Sequence, residues 1–340
     1  MSGRPLHRLA ATPATVHWGH FHSRLAPVLH VRSGDRVAVE TITHHAGDAA
    51  DLLMDDGVAA VFAGVTDRGP GPHILTGPIF VEDARPGDTL SVRILELAPR
   101  LRYGSNLAAH WGALHNDTGK ERVTIYELDI SAGTASARFA FDWTATRRAA
   151  EIGLVLEVEP DRREPALGGV RVPLRPHFGV IGVAPPGAER VHSVPPGAFG
   201  GNVDNWRFGP GATIHYPVFH EGALLSIGDP HAAEGDGELS GTALEASLNG
   251  VVEISVRRDM VVRNPVAETA THWITHGFGP DLDTALHEAA TEMLRLLDRL
   301  AGLSRDDAYS LMSTAVDFGV TQVVNQRPGV HALLPRSVLP

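Results

Sequence analysis

The chain has 340 residues, of which 43% are hydrophobic and 20% are charged, and its formal net charge is −11. This length and apolar content suffice for a sizeable core, in one large domain or two to three smaller ones. The acidic balance disfavours nucleic acids and anionic membranes as partners. Since no window of roughly 18 uninterrupted apolar residues occurs, the sequence predicts no membrane span.

Cysteine is absent, which excludes disulfides, thiolate metal sites and cysteine nucleophiles. A chain without disulfides or a signal-peptide pattern is expected in the cytoplasm. Lys120 is the only lysine and lies in a predicted turn, so catalysis by a lysine side chain has little support. The sequence also lacks the Gly-x-Ser-x-Gly motif that is typical of many serine hydrolases. The 19 histidines and abundant carboxylates favour metal chemistry with nitrogen and oxygen ligands.

The first part of the chain has the alternation of β-strands. Strands predicted at residues 27–31 and 36–42 flank a Ser-Gly-Asp turn, and strands at 77–81 and 89–94 flank a Pro-Gly-Asp turn. The similar turns suggest two related hairpins. Further strands are predicted at 135–141, 168–183, 223–227 and 244–256, whereas glycine and proline make 193–213 loop-like.

Helices are predicted only near the C-terminus. Residues 283–301 have an apolar stripe of helical period that Gly302 ends, and Ser304 is an N-cap for a second helix over 306–313. The predicted fold class is α+β and mostly antiparallel β. We expect an N-terminal β-rich part at 1–100, a central β-rich part at 101–260 with the main site motifs, and a C-terminal α/β part at 261–340.

The densest group of ionisable residues follows the apolar strand at 223–227. If the chain stays extended there, Asp229 and His231 project to the same face and can both reach one metal ion. The Gly-Asp-Gly turn at 235–237 could then return Glu238 to the same place. The alternative interpretation is a solvated acidic turn between strands.

Other polar motifs are ambiguous from spacing alone. His73 and His177 each precede or begin a predicted strand, and Asn202 and Asp204 follow two glycines that permit close approach to a ligand. An exposed loop histidine and an Asx-stabilised turn explain these motifs equally well. The same holds for the remaining histidine groups: His272 and His276, whose helical spacing conflicts with nearby glycines, and His17, His20, His22, His44 and His45.

Five motifs carry a resemblance to a known family. They are His-Ile-Leu-Thr-Gly-Pro-Ile at 73–79, Ala-Arg-Pro-Gly-Asp at 84–88, Pro-Gly-Ala-Phe-Gly-Gly-Asn-Val-Asp at 196–204, the segment 222–238, and Thr-His-Gly-Phe-Gly-Pro-Asp-Leu at 275–282. In this order and spacing, the chain resembles the acetamidase/formamidase family over most of its length.

The resemblance implies hydrolysis of formamide, acetamide or a related short amide to the acid and ammonia. It implies a β-rich fold with sandwich and barrel-like parts, and a homo-oligomer. By position it points to a polar site formed by His73, Asn202, Asp204, Asp229, His231 and Glu238. The family often has Gln at the position of Glu234 and Pro at that of Phe178, so an added charge and a reshaped pocket are expected to affect substrate choice.

Amide hydrolysis needs an activated water, a stabilised oxyanion and a proton for the leaving amine. Without a usable cysteine, lysine or serine motif, a divalent metal, with Zn²⁺ the first expectation, is the most economical source of the first two. The expected ligands are His73, Asp229 and His231. Glu238 is the expected general base and acid.

The remaining roles concern substrate orientation. Asp204 joins the catalytic group, and Asn202 and His177 are expected to bind substrate, although Glu238, Asp204 and Asp229 could exchange roles. Two alternatives stay open: a hydrolase of a larger or cyclic amide, and a non-catalytic protein that binds a small ligand in the same pocket.

Overall fold

The computed structural model describes residues 4–118, 120–143, 155 and 162–339, with about 40% strand and 18% helix. The strands of these residues, β1 to β22 in chain order, are Leu6–Leu9, Val16–Trp18, His20–Phe21, Leu29–Val31, Asp35–Glu40, Ile74–Val81, Thr89–Pro99, Tyr103–Ala108, Arg122–Asp129, Thr134–Asp142, Val172–Pro173, His177–Gly182, Val191–His192, Gly200–Asn202, Thr213–Pro217, Leu225–Ala233, Leu244–Glu245, Leu248–Arg257, Val266–Glu268, His272–Phe278, Asp317–Gln322 and Gly329–Pro335.

The helices are fewer and mostly short. The α-helices α1 to α5 are Ala50–Leu53, Asp56–Gly64, His115–Thr118, Leu282–Ala301 and Arg305–Ala315, and 3₁₀-helices cover His44–Ala49 and Arg336–Val338. Among the residues that the structure describes, no helix is both long and apolar enough to cross a lipid bilayer.

Two large sheets form the body of the fold. The nine-stranded sheet has the order β1-β5-β18-β7-β15-β19-β20-β22-β21. The eleven-stranded sheet follows β11-β10-β9-β8-β17-β16-β12-β14, and β6 joins it through β16 and brings in β2 and β4. Most pairs are antiparallel, with β1–β5 and β4–β6 as parallel exceptions. The sheets are not closed barrels, and the predicted α+β, mostly antiparallel class is confirmed.

The main core lies between the two sheets. One buried cluster combines Val92 and Ile254 of the nine-stranded sheet with Ile79 and Ile227 of the eleven-stranded sheet. Inward-facing residues of both sheets therefore interdigitate, as in a sandwich. This packing holds β6, β12 and β16 rigidly from one side.

The two predicted C-terminal helices are confirmed. Asp281 caps α4 by accepting a hydrogen bond from the Thr284 amide, and Gly302 ends it with a left-handed φ of 63°. The Ser304 hydroxyl accepts from the Asp307 amide and caps α5. The apolar face of α4 packs on β20 and β22 in a separate core cluster.

The two predicted hairpins are wrong. Strand β4 pairs with β6 in one sheet whereas β5 pairs with β1 and β18 in the other. Likewise β6 and β7 belong to different sheets. The turns themselves form as expected, because Asp35 and Asp88 each accept a hydrogen bond from the amide three residues earlier. Such a turn determines where the chain changes direction but not which strand the next segment pairs with. Here the chain leaves one sheet before each turn and enters the other sheet after it.

Candidate active site

A cluster of buried histidines and carboxylates lies where five strands of the eleven-stranded sheet are neighbours. Strand β16 pairs with β6, β12 and β17, and β12 also pairs with β14. Side chains on or beside these strands, and one from the 3₁₀-helix that follows β5, converge. We call this set the polar cluster; its members are His44, His73, His177, Asp204, Asp229, His231, Glu234, Glu238 and Glu245.

The Asp229 carboxylate lies between three imidazoles. Its Oδ2 is 3.2 Å from His231 Nε2 and 3.6 Å from His73 Nε2, and its Oδ1 is 3.6 Å from His44 Nδ1. On the other side of its ring, His73 Nδ1 is hydrogen-bonded to the Ser193 hydroxyl at 2.8 Å. This bond fixes the ring so that Nε2 faces the cluster.

His231 connects the remaining carboxylates. Its Nε2 is 3.3 Å from Glu245 Oε1, and its Nδ1 is 3.4 Å from Glu234 Oε2. His177 lies behind them with no exposed side-chain surface, and its Nε2 is 2.8 Å from the same Glu234 oxygen. The Nδ1–H of His177 donates to the Arg175 carbonyl at 2.7 Å.

Asp204 and Glu238 form the other end of the cluster. Asp204 Oδ1 is 4.0 Å from His231 Nδ1, and Asp204, His231 and Glu238 bring their ligand atoms within 4.8 Å of one another. The Asn325 side-chain amide donates to Asp204 Oδ2 at 2.5 Å. The Gln322 side-chain oxygen accepts a hydrogen bond from the Asn325 backbone amide at 3.0 Å and so holds Asn325 in position.

The backbone is unusual at three cluster carboxylates. Asp204, Asp229 and Glu238 have φ of 51°, 49° and 46°, a region that residues with a side chain adopt at a cost of order 1–3 kcal/mol. Gly179 on β12 faces two of them. A Cβ there would lie 2.4 Å from Asp204 Oδ1, 2.9 Å from Asp229 Oδ2 and 2.6 Å from His231 Cε1. The cluster therefore depends on a glycine at this position.

The charges of the cluster are strongly coupled. Burial raises the pKa of Glu238, and the carboxylates of Asp204 and Glu234 raise it further. Burial also raises the pKa of Asp204, against the attraction of His231. Burial opposes ionisation of Asp229 as well, but the imidazoles of His73 and His231 outweigh it and hold its pKa below the usual range. Carboxyl groups with a raised pKa and a carboxyl group with a lowered pKa thus lie side by side.

Several buried atoms of the cluster and of the nearby Asn202 make no hydrogen bond, although some of them lie within ion-pair distance of an opposite charge. They include His44 Nδ1, Asn202 Oδ1, Asp204 Oδ1, Asp229 Oδ1, His231 Nε2, Glu234 Oε1 and Glu238 Oε2. Four overlapping groups could each hold a cation: His44–His73–Asp229, Asp229–His231–Glu245, Asp204–His231–Glu238 and His177–His231–Glu234. Imidazole and carboxylate donors of this kind suit Zn²⁺ and similar divalent ions.

The structure brings six of the seven sequence-predicted site residues into the polar cluster: His73, His177, Asp204, Asp229, His231 and Glu238. His73 and His231 both face the Asp229 carboxylate, although no single candidate group contains all three of these residues. Asn202 is buried on β14 with Oδ1 facing no partner. The Gly-Asp-Gly turn does return Glu238 to the cluster, helped by a hydrogen bond from the Glu238 amide to the Gly235 carbonyl.

Sequence reasoning missed Glu245 and Asn325 and left His44 undecided. Glu245 had a signal, because it is a lone acid in the apolar run 243–246. His276, in contrast, lies outside the cluster, where its Nδ1–H donates to the Pro265 carbonyl and its Nε2 accepts from Asn205. His17 is likewise outside it, bonded to the Ser226 hydroxyl.

A cavity of about 550 Å³ opens from the surface to the Glu234 and Glu238 end of the cluster. Both carboxylates line it, and their residues are only 7% and 8% exposed, so they form its inner end. Leu239, which is 53% exposed, lies at the rim. A small molecule in this cavity would meet the carboxylates of Glu234 and Glu238 at its inner end.

Comparisons with known proteins find relatives that are named acetamidase or formamidase. The model of the acetamidase/formamidase family matches residues 6–188 and 186–339. An acetamidase from Mycolicibacterium smegmatis is 30% identical over 210 residues, which cover 49% of each chain, and a formamidase from Methylophilus methylotrophus is 24% identical over 87% of this chain and 83% of its own. The crystal structure of an acetamidase from Bacillus halodurans is 29% identical, with a TM-score of 0.72 over 97% of this chain and 98% of that one.

Proposed function

Because the chain belongs to the acetamidase/formamidase family, we propose that it hydrolyses a short aliphatic amide of the formamide or acetamide type to a carboxylate and ammonia. We propose further that a divalent metal ion, with Zn²⁺ the first expectation, assists the reaction. The names of the similar proteins support the amide substrate. The polar cluster supports the metal.

The observation that carries the metal proposal is the charge of the cluster. Five buried carboxylates (Asp204, Asp229, Glu234, Glu238 and Glu245) lie together, and within the described ranges all their ion pairs are with histidine and none with Lys or Arg. Uncompensated buried charge is costly. A divalent cation would offset it and would use the unpartnered ligand atoms.

We assign His73, Asp229 and His231 as ligands, with His44 and Glu245 close enough to complete the set. When bound, Zn²⁺ lowers the pKa of water to about 7 and polarises a carbonyl. The other steps fall to the protein. Water adds to the carbonyl carbon, the C–N bond breaks, and a proton must move from the water to the leaving nitrogen.

Glu238 is the proposed carrier of that proton. It lies at the inner end of the cavity, and burial together with the neighbouring carboxylates raises its pKa, which favours the protonated form that can donate to a leaving amine. Asp204 and Asn202 would orient the amide group through Oδ1 atoms that face no partner. His177 is bonded at both ring nitrogens, so we propose that it acts on substrate through Glu234 and His231.

The first test of the proposal is metal dependence. Ammonia release from formamide and acetamide is measured before and after removal of metal with a chelator, and after addition of Zn²⁺. Loss and recovery of activity are expected. Full activity in a preparation that elemental analysis shows to be metal-free would refute the metal, and no ammonia from the metal-loaded protein would favour a binding protein.

The second test is Glu238→Gln. Gln keeps the shape but cannot carry a proton, so kcat should fall by about 10²- to 10⁴-fold while bound metal stays unchanged. The exposed Glu221→Gln is the matched control and should behave as wild type. A loss of metal together with kcat would instead make Glu238 a ligand. The cytoplasmic location and the homo-oligomer expected from the sequence stay predictions, which cell fractionation and light scattering would check.

A further inference from the structure

The cavity that ends at Glu238 is larger than a short amide requires. Acetamide has four non-hydrogen atoms and occupies on the order of 100 Å³, given about 30 Å³ per water-sized group in a liquid. The cavity measures about 550 Å³, which lies within the roughly 300–1,000 Å³ range of pockets for larger ligands. Most of its space would stay unfilled around formamide or acetamide.

The walls of the cavity are mainly apolar. They include Tyr126, Val172, Pro173, Ala233, Leu239, Ala243 and Leu244. The polar groups along the walls have partners within the protein. The Arg175 guanidinium donates to the Glu234 carbonyl at 3.4 Å and lies over the Trp206 ring. Asn106 Nδ2 donates to Ser240 and to Thr242 within 3.1 Å. Asp236 is held by both terminal nitrogens of Arg207. These walls therefore offer contact area more than specific hydrogen bonds.

The two ends of the cavity differ in polarity. At the inner end, Glu234 Oε1 and Glu238 Oε2 are buried and have no partner. At the outer end, Leu239 and Pro173 are exposed. An amphiphilic molecule fits this gradient, with its polar group at the carboxylates and its apolar part along the walls. For an amide hydrolase, the polar group is the carboxamide.

We propose that the preferred substrates are primary amides with an extended apolar acyl group, an aliphatic chain of several carbons or an aromatic ring, which the cavity accommodates beside Glu238. This inference rests on the proposed amide hydrolysis and extends its substrates from formamide and acetamide to amides with larger acyl groups. The products are the corresponding carboxylic acid and ammonia. Each methylene that fits an apolar pocket contributes about tenfold or more to specificity when it is fully enclosed, and less in a cavity with an open rim.

The test compares kcat/KM for formamide, acetamide, butyramide, hexanamide and benzamide with the metal-loaded protein. We expect kcat/KM for hexanamide to exceed that for acetamide by at least about tenfold. A flat or falling profile with clear acetamide turnover would overturn the inference and leave the proposed function intact. No ammonia from any of the five amides would overturn the proposed function itself.

A substitution at the wall locates the effect. Val172→Trp should narrow the cavity and lower kcat/KM for hexanamide at least about tenfold more than kcat/KM for acetamide. Val170→Trp is the matched control, because Val170 is exposed and does not line the cavity. If Val172→Trp fails to fold, Leu239→Trp at the exposed rim replaces it. Equal losses for both amides, or no loss for either, would contradict acyl binding in this cavity.

Discussion

Gly179→Ala is the sharpest perturbation of the polar cluster, because one methyl group would meet three of its members. The added Cβ would lie 2.4 Å from Asp204 Oδ1, 2.6 Å from His231 Cε1 and 2.9 Å from Asp229 Oδ2, whereas an ordinary contact is 3.4 Å or longer. Since β12 is hydrogen-bonded to both β14 and β16, the strand cannot simply move away. The carboxylates must shift, and the geometry that would hold a cation shifts with them.

Overpacking of this kind costs about 1–3 kcal/mol of folding stability. Displaced ligands or their supports typically lower metal affinity by about 10- to 100-fold. We therefore expect both effects in Gly179→Ala, measured by urea unfolding in chelator and by competition for Zn²⁺ with a chromophoric chelator. Activity should fall and recover in part with excess metal.

Gly168→Ala is the control for the same chemical change. A Cβ at Gly168 would meet nothing within 4 Å, so its effect on stability should stay within about 0.5 kcal/mol and its metal affinity should be unchanged. If Gly179→Ala bound Zn²⁺ and turned over as well as Gly168→Ala, the convergence of Asp204, Asp229 and His231 on one cation would be refuted.

Three further predictions follow from other contacts. Asn325→Ala removes the donor to Asp204 Oδ2, so kcat should fall about tenfold or more while metal content is retained, as steady-state kinetics and elemental analysis would show. Lys120→Ala should leave kcat unchanged, because the Lys120 side chain is 71% exposed and, in the part of the chain that the structure describes, pairs with Asp142 at the surface; a loss above tenfold, about 1.4 kcal/mol, would indicate that Lys120 takes part in catalysis. Burial lowers the pKa of His276 to about 3, so below about pH 6.5 the unfolded chain binds a proton that the folded chain does not. The free energy of unfolding should therefore fall as the pH falls from about 6.5 toward 3. Urea unfolding measured over this pH range should show a flatter pH dependence for His276→Gln than for the wild type.

Local signals in the sequence were sufficient for the two C-terminal helices, but the expectation of helix only near the C-terminus was wrong, because it missed α2, which Asp55 caps. The N-cap at Ser304 and the C-cap at Gly302 act within a few residues, and the amphipathic stripe of α4 has a period that needs no knowledge of its partner. The Asp35 and Asp88 turns were equally local, and they formed as predicted. The partner of each strand could not be predicted from local signals, because the edge of a strand offers the same backbone groups to any neighbouring strand.

The site residues likewise include some that local spacing predicts and others that only the pairing of distant strands brings together. Asp229, His231 and Glu238 lie within ten residues on and after one strand, so their spacing indicated a common location. Glu245 reaches His231 only because β17 pairs with β16, and Asn325 reaches Asp204 across more than a hundred residues of chain. No spacing rule connects such positions. Pairing of distant strands decides which polar side chains join the cluster.

Glu234 shows how one sequence departure acquires meaning only from its neighbours. The Arg175 carbonyl can only accept a hydrogen bond, so Nδ1 of His177 carries a proton, and a neutral His177 then has a bare lone pair at Nε2. Two groups face that lone pair: Glu234 Oε2 at 2.8 Å and His231 Nδ1 at 3.1 Å. The side-chain amide of a Gln at position 234 could donate a hydrogen bond to the neutral ring. A carboxylate can only accept, so with Glu the donor to both Nε2 of His177 and Oε2 of Glu234 is the Nδ1–H of His231. Glu at this position therefore ties His177 to His231, beside the end of the cavity where Glu238 is proposed to exchange protons with the substrate.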